Sequence, residues 1–216
     1  MKNKAQTRYI CDENYLDCEH CTINGKLMCS FKIKDTIYFV APVLSVWVTW
    51  ILGLFYGFFS GNINLPLLIV FSVGYIGYLI VFFQFWENKI LCSHCPYYAF
   101  EEDKCVKCYA NYGIHKVWKY NPAPMSNSEK IQFLISITLF AIFPPILFII
   151  TELYLFFLIS LVLSLIWLIS MHFLSCSKCP NFSCPLNNVS KEIVDEYFKR
   201  NSVMRKAWEG KGYKID

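Results

Sequence analysis

Eleven cysteines in 216 residues fall into three groups. The first is Cys11, Cys18, Cys21 and Cys29. The second is Cys92, Cys95, Cys105 and Cys108, and the third is Cys176, Cys179 and Cys184. Every group contains a Cys-x-x-Cys pair. A two-residue gap lets one tight turn aim two thiolates at one metal while backbone amides hydrogen-bond the sulfurs. The second group holds two such pairs with nine residues between them, enough for a tetrahedral four-thiolate site. The first group also offers four thiolates, with Asn24-Gly25 supplying a turn between Cys21 and Cys29. The third offers three. His172, four residues before Cys176, shares its side of a continuing helix and is the candidate fourth ligand. His20, His94 and His115 are alternatives. A three-thiolate site with an open position would serve chemistry better than structure. The odd cysteine count argues against a fully paired disulfide framework.

The stretch Cys92–Cys108 resembles short zinc ribbons over 17 residues. Pro96 and Tyr109 stand where such ribbons usually carry glycine. That resemblance implies closed, structural sites and zinc as the expected cofactor. Cys95-Pro96 and Cys184-Pro185 also resemble the Cys-Pro end of bacterial ferredoxin motifs, so an iron–sulfur cluster is the alternative. Four spans with a cysteine-rich loop between the second and third are similar in layout to the DHHC protein acyltransferases. No Asp-His-His-Cys occurs; Ser93-His94-Cys95 is the nearest fragment.

The elements that must carry these cysteines are apolar. The chain is 56% hydrophobic and 18% aromatic. Residues 36–86 contain no Asp, Glu, Lys or Arg, and neither do 131–151 or 153–177. About 20 such residues at ~1.5 Å rise cross a ~30 Å hydrocarbon core. Two helical hairpins are therefore expected, turning at residues 61–64 and at Thr151-Glu152. The expected fold is an all-α membrane protein with four transmembrane helices. A small cytosolic, metal-stabilised module is assembled from the N-terminus, central loop and C-terminus. The boundaries read as follows: 1–36, an N-terminal cysteine-rich segment; 37–86, hairpin one; 87–130, the central cysteine-rich loop; 131–174, hairpin two; 175–216, a C-terminal cysteine cluster and amphipathic helix. Pro144-Pro145 predict a kink or an early end to the third helix. The patterns Gly53-x3-Gly57-x3-Gly61, Gly74-x2-Gly77 and Ser160-x3-Ser164 predict close helix approach, within the chain or between copies of a homo-oligomer.

All 20 Lys and Arg lie in the three cysteine-bearing regions, and the two short turns have none. The positive-inside bias then puts both termini and all cysteines in the cytoplasm, where reducing conditions favour metal ligation over disulfides. The formal net charge of +4 reflects topology and attraction to anionic lipid, not nucleic-acid binding. The ionisable groups nearest the spans lie at their ends, which argues against a transporter or ion path. No phosphate-cradling loop, His-Glu-x-x-His or Gly-x-Ser-x-Gly occurs. The expected partners are the bilayer and a cytosolic protein. The expected function is a membrane-tethered, metal-binding scaffold. An iron–sulfur redox protein is the first alternative and a lipid or acyl transferase the second.

Overall fold

The computed structural model describes residues 10–11, 20–100 and 103–216. Within them the chain is helical, and four helices are long and apolar enough to cross a membrane. Helix α1 spans Ile33–Phe59, and α2 spans Leu65–Val81. The second span runs on through a π turn at Phe82–Trp86 and the short α3, Glu87–Ile90. Helix α4 spans Asn127–Ile150, and α5, Tyr154–Ser170, passes into a second π turn at Met171–Ser175. Two short helices close the chain: α6, Lys191–Phe198, and α7, Ser202–Glu209.

Local chemistry explains the helix starts. Asn64 accepts a hydrogen bond from the Leu67 amide, and Pro66 follows in the first turn, where its missing N–H costs nothing. Ser126 and Glu129 form a reciprocal capping box, which starts α4 four residues earlier than its uncharged run. That helix does not end at Pro144-Pro145 but continues to Ile150. Thr151 caps the turn with its hydroxyl on the Leu147 carbonyl, and Glu152 takes φ 60°, the left-handed value that reverses the chain.

Packing follows small residues on one face of α1. A Cβ at Gly53 would lie 2.4 Å from Phe148, and one at Gly57 would lie 2.6 Å from Ile63. These glycines admit the α4–α5 hairpin against α1. Ser160 and Ser164 are also buried. Gly74 and Gly77 are different: nothing lies within 4 Å of a Cβ built at either, so this pair mediates no close approach within the chain. Tyr75 and Tyr78 donate to the Phe140 and Ser136 carbonyls, tying α2 to α4. Side chains such as Phe55, Val70 and Ile169 face outward from the spans. The two turns meet at one end of the bundle, where Asn62 donates to the Thr151 carbonyl. The cysteine-bearing segments meet at the other.

The amphipathic tail folds back on the chain as two helices, not one. Tyr197, Phe198 and Met204 are almost fully buried. Tyr197 and Asn201 both donate to the Ile10 carbonyl, and the Ile10 amide donates to the Cys29 carbonyl. Phe182 packs edge-on against Tyr197 and Phe198, joining the tail to the third cysteine group. The tail, the N-terminal segment and the central loop thus share one small core.

Candidate functional site

Where the spans leave the bundle, two five-residue stretches match: Cys92-Ser93-His94-Cys95-Pro96 and Cys176-Ser177-Lys178-Cys179-Pro180. The first three residues of each form a 3-10 turn, and the second cysteine's amide donates to the first cysteine's carbonyl. Cys95 and Cys179 have nearly the same extended backbone, φ −88° ψ 136° and φ −76° ψ 127°. Each stretch ends one of the two spans that carry a π turn, a local underwinding that re-aims the residues after it.

The two turns bound one cavity of about 320 Å³. Cys92, Cys95 and Cys108 line it from the central loop, and Cys176, Cys179 and Cys184 from the C-terminal segment. The Asn111 amide donates to Cys108 Sγ at 3.3 Å, and the Tyr97, Ala110, Asn181 and Leu186 amides lie where they favour the thiolate forms of Cys95, Cys108, Cys179 and Cys184. Side chains add to this. The Tyr109 hydroxyl donates to Cys179, and Asn111 Nδ2 lies 3.1 Å from Cys92 Sγ. Such donors suit sulfur carrying negative charge. Burial opposes them: it pushes the Cys95, Cys179 and Cys184 thiols up, and Cys108 up to about 12. A bound cation would reverse that balance by stabilising the thiolates.

The donor set fits a thiophilic metal or cluster. The sulfurs line the walls without closing on a point. Among the described residues, no three His, Cys, Asp or Glu side chains are gathered tightly enough to hold an ion between them.

The remaining expected ligands lie elsewhere. Cys105 does not line the cavity; it bridges antiparallel to His115, with its sulfur 3.5 Å from Nδ1. Cys92, Cys95 and Cys108 thus share the cavity wall, and Cys105 is not part of it. Cys11, Cys21 and Cys29 line a separate, more polar cavity with Lys178, and Cys18 lies outside the described residues. His172 is exposed, 3.4 Å from the Asn188 amide, and does not reach the cysteine cavity. His94 is buried and held by the Ala123 carbonyl at 2.6 Å and by Glu129 at 3.5 Å.

Sequence reasoning passed over three features of the site. Glu87 reads as the polar end of the second span, yet it is buried in the cavity wall. Asn111 and Tyr109 carry no motif of their own. The repeated Cys-Ser-x-Cys-Pro was the available signal that the second and third groups belong together. No protein-family model, curated protein or solved structure matches the chain.

Proposed function

We propose that this is a multi-pass membrane protein whose two hairpins are clasped, at one membrane face, by a metal centre whose thiolate ligands are drawn from Cys92, Cys95, Cys108, Cys176, Cys179 and Cys184. The observation that carries the reading is the meeting of these six thiols, from separate loops, on one cavity. Amide donors at four of the sulfurs support it. Zinc is the expected metal. Apparent binding of about 10–16 kcal/mol would stabilise the end of the molecule built from turns and short helices. The role is that of a tethered scaffold whose metal-bound face, carrying all 20 basic residues and turned to the cytoplasm, recruits a partner.

A second reading has its own support. The cavity continues past the cysteines to Trp47, Phe140 and Trp167 within the bundle. An iron–sulfur cluster here would stand beside aromatic walls contributed by the spans, a setting suited to electron transfer with a lipid-soluble partner.

Metal analysis of anaerobically purified full-length protein tests both. Colourless protein with stoichiometric zinc supports the scaffold. Brown protein with iron and acid-labile sulfide, bleached by dithionite, replaces zinc with a cluster. Folded protein that takes up neither would overturn the metal reading.

A further inference from the structure

The second, more polar cavity measures about 590 Å³ and lies where α1 begins. Lys32 and Lys34 line it from that start, and Lys178 from the turn that closes the fourth span. The Met28 amide, on the Lys178 carbonyl at 2.9 Å, holds the two basic segments together. All three lysines are exposed and therefore within reach of a ligand. Lys107, Lys191 and Lys199 each have a carboxylate partner, whereas among the described residues Lys32, Lys34 and Lys178 have none. Asp35 is the one acidic residue among the described lining residues. Three like charges on one cavity repel one another, and an anion between them relieves that repulsion. Ser30 and Ser175 line it too; both are buried, and neither hydroxyl has a hydrogen bond among the described residues. Each hydroxyl oxygen keeps accessible surface, so both are available as donors.

We infer that this cavity binds the phosphodiester head of an anionic phospholipid. The lysines and hydroxyls suit phosphate oxygens. A zwitterionic head brings a cation that the same lysines repel. The position selects a lipid over a free anion. Helix α1 has 27 residues. At ~1.5 Å each they run ~40 Å, longer than a ~30 Å hydrocarbon core, so its first turns stand at head-group depth. Tyr38 and Leu174 also line the cavity, and they are 71% and 59% exposed on the outer surface of the spans. Lys34 and Lys178 each lie four residues beyond them, on the loop side. The cavity thus has a basic end toward the loops and an apolar edge on the lipid-facing surface, the polarity order of a phospholipid. The inference rests on the spans crossing a bilayer and does not require the metal centre.

The test is titration of full-length protein, in neutral detergent, with phosphatidylglycerol and separately with phosphatidylcholine, read by native mass spectrometry. One phosphatidylglycerol per chain should bind roughly ten-fold more tightly than phosphatidylcholine. Lys32→Gln and Lys178→Gln should each weaken it roughly five-fold, the share of one lysine beside an anionic head. Lys178→Arg should keep wild-type binding, and Asp35→Asn should tighten it. Lys211→Gln makes the same charge change outside the cavity and should leave binding unaltered. Circular dichroism and gel filtration confirm that each variant is folded, and Lys34→Gln replaces any that is not. Equal binding of the two lipids or an equal loss in Lys211→Gln would overturn the inference. So would displacement of the lipid by millimolar inorganic phosphate, which would show that a free anion suffices. The same protein is floated with phosphatidylcholine vesicles. Protein that inserts but prefers neither lipid loses this site alone; protein that does not insert loses the membrane reading as well.

Discussion

Between the spans, burial is achieved mainly by rings and aliphatic chains. Trp50 meets Tyr75 edge-on, Phe140 meets Trp167, and Phe148 fills the space that Gly53 leaves open. At the cysteine-rich end the buried set includes Asn88, His94, Asn111, Asn181, Ser183 and Asp195. There, chain segments far apart in sequence are held by hydrogen bonds: Asn181 to the Leu91 carbonyl, Tyr97 to the Met28 carbonyl, and the Met28 amide to the Lys178 carbonyl. The bundle holds one packed core, and the other end, a set of turns and short helices, holds a second of similar extent around Tyr197 and Phe198, with a smaller cluster at Cys92, Tyr98 and Val106. A region built in the second way gains most from cross-links, and six cysteines line its cavity.

This contrast can be broken most directly by removing metal. Chelation of the loaded protein is expected to expose the amides of α6 and α7 to hydrogen exchange while α1, α2, α4 and α5 stay protected. The effect should approach the ~10–16 kcal/mol of a structural thiolate site. Uniform exchange across both regions would show that the module does not depend on the centre. Cys179→Ser should abolish most metal retention, while Cys105→Ser, outside the cavity, should leave the metal content near wild type. Equal losses would join Cys105 to the site after all.

The bundle is attacked from the other side by Gly53→Val. Its side chain collides with Phe148, so a cost of about 1–3 kcal/mol is expected in detergent melting, with metal content unaltered. Next comes Tyr197→Phe, which removes the donor to the Ile10 carbonyl. Asn201 still serves that carbonyl, so the loss should be about 1 kcal/mol, confined to exchange in the N-terminal segment and α6.

The smallest effect concerns pH. Burial pushes the Asp195 carboxyl up, but hydrogen bonds from Lys191, Tyr213 and the Asp216 amide outweigh it and hold the group below the usual carboxylate range. Because the folded value is the lower one, the stabilisation is full above the ordinary value of about 3.9 and fades as pH falls. Asp195→Asn should therefore flatten the acid-side loss of α6–α7 protection by about 1 kcal/mol. An unchanged acid profile would remove Asp195 from the account.

Much of the bundle was legible from residues 36–86, 131–151 and 153–177, because a run without charge and long enough to cross a bilayer leaves the backbone little choice but helix. The start of α4 was written in Ser126-x-x-Glu129, although the end of the uncharged run hid it. The site was legible in part. Local spacing marked the cysteines as pairs, yet it suggested Cys105 as the partner of Cys108, where the fold instead brings the third group to the second. Glu87 could not be recognised as buried, since polar residues at a helix end are ordinarily solvated.

By itself the sequence determined the number of apolar spans, their turns and the three cysteine-bearing regions, because these depend on runs and spacings local to the chain. Only the tertiary structure decided which cysteines share a cavity, which small residues carry close packing, and that a carboxyl and two indoles line the same space. The physical reason is distance along the chain. Cys92 and Cys176 are brought to one end of the bundle by the lengths and packing of four helices, and no local pattern encodes that sum.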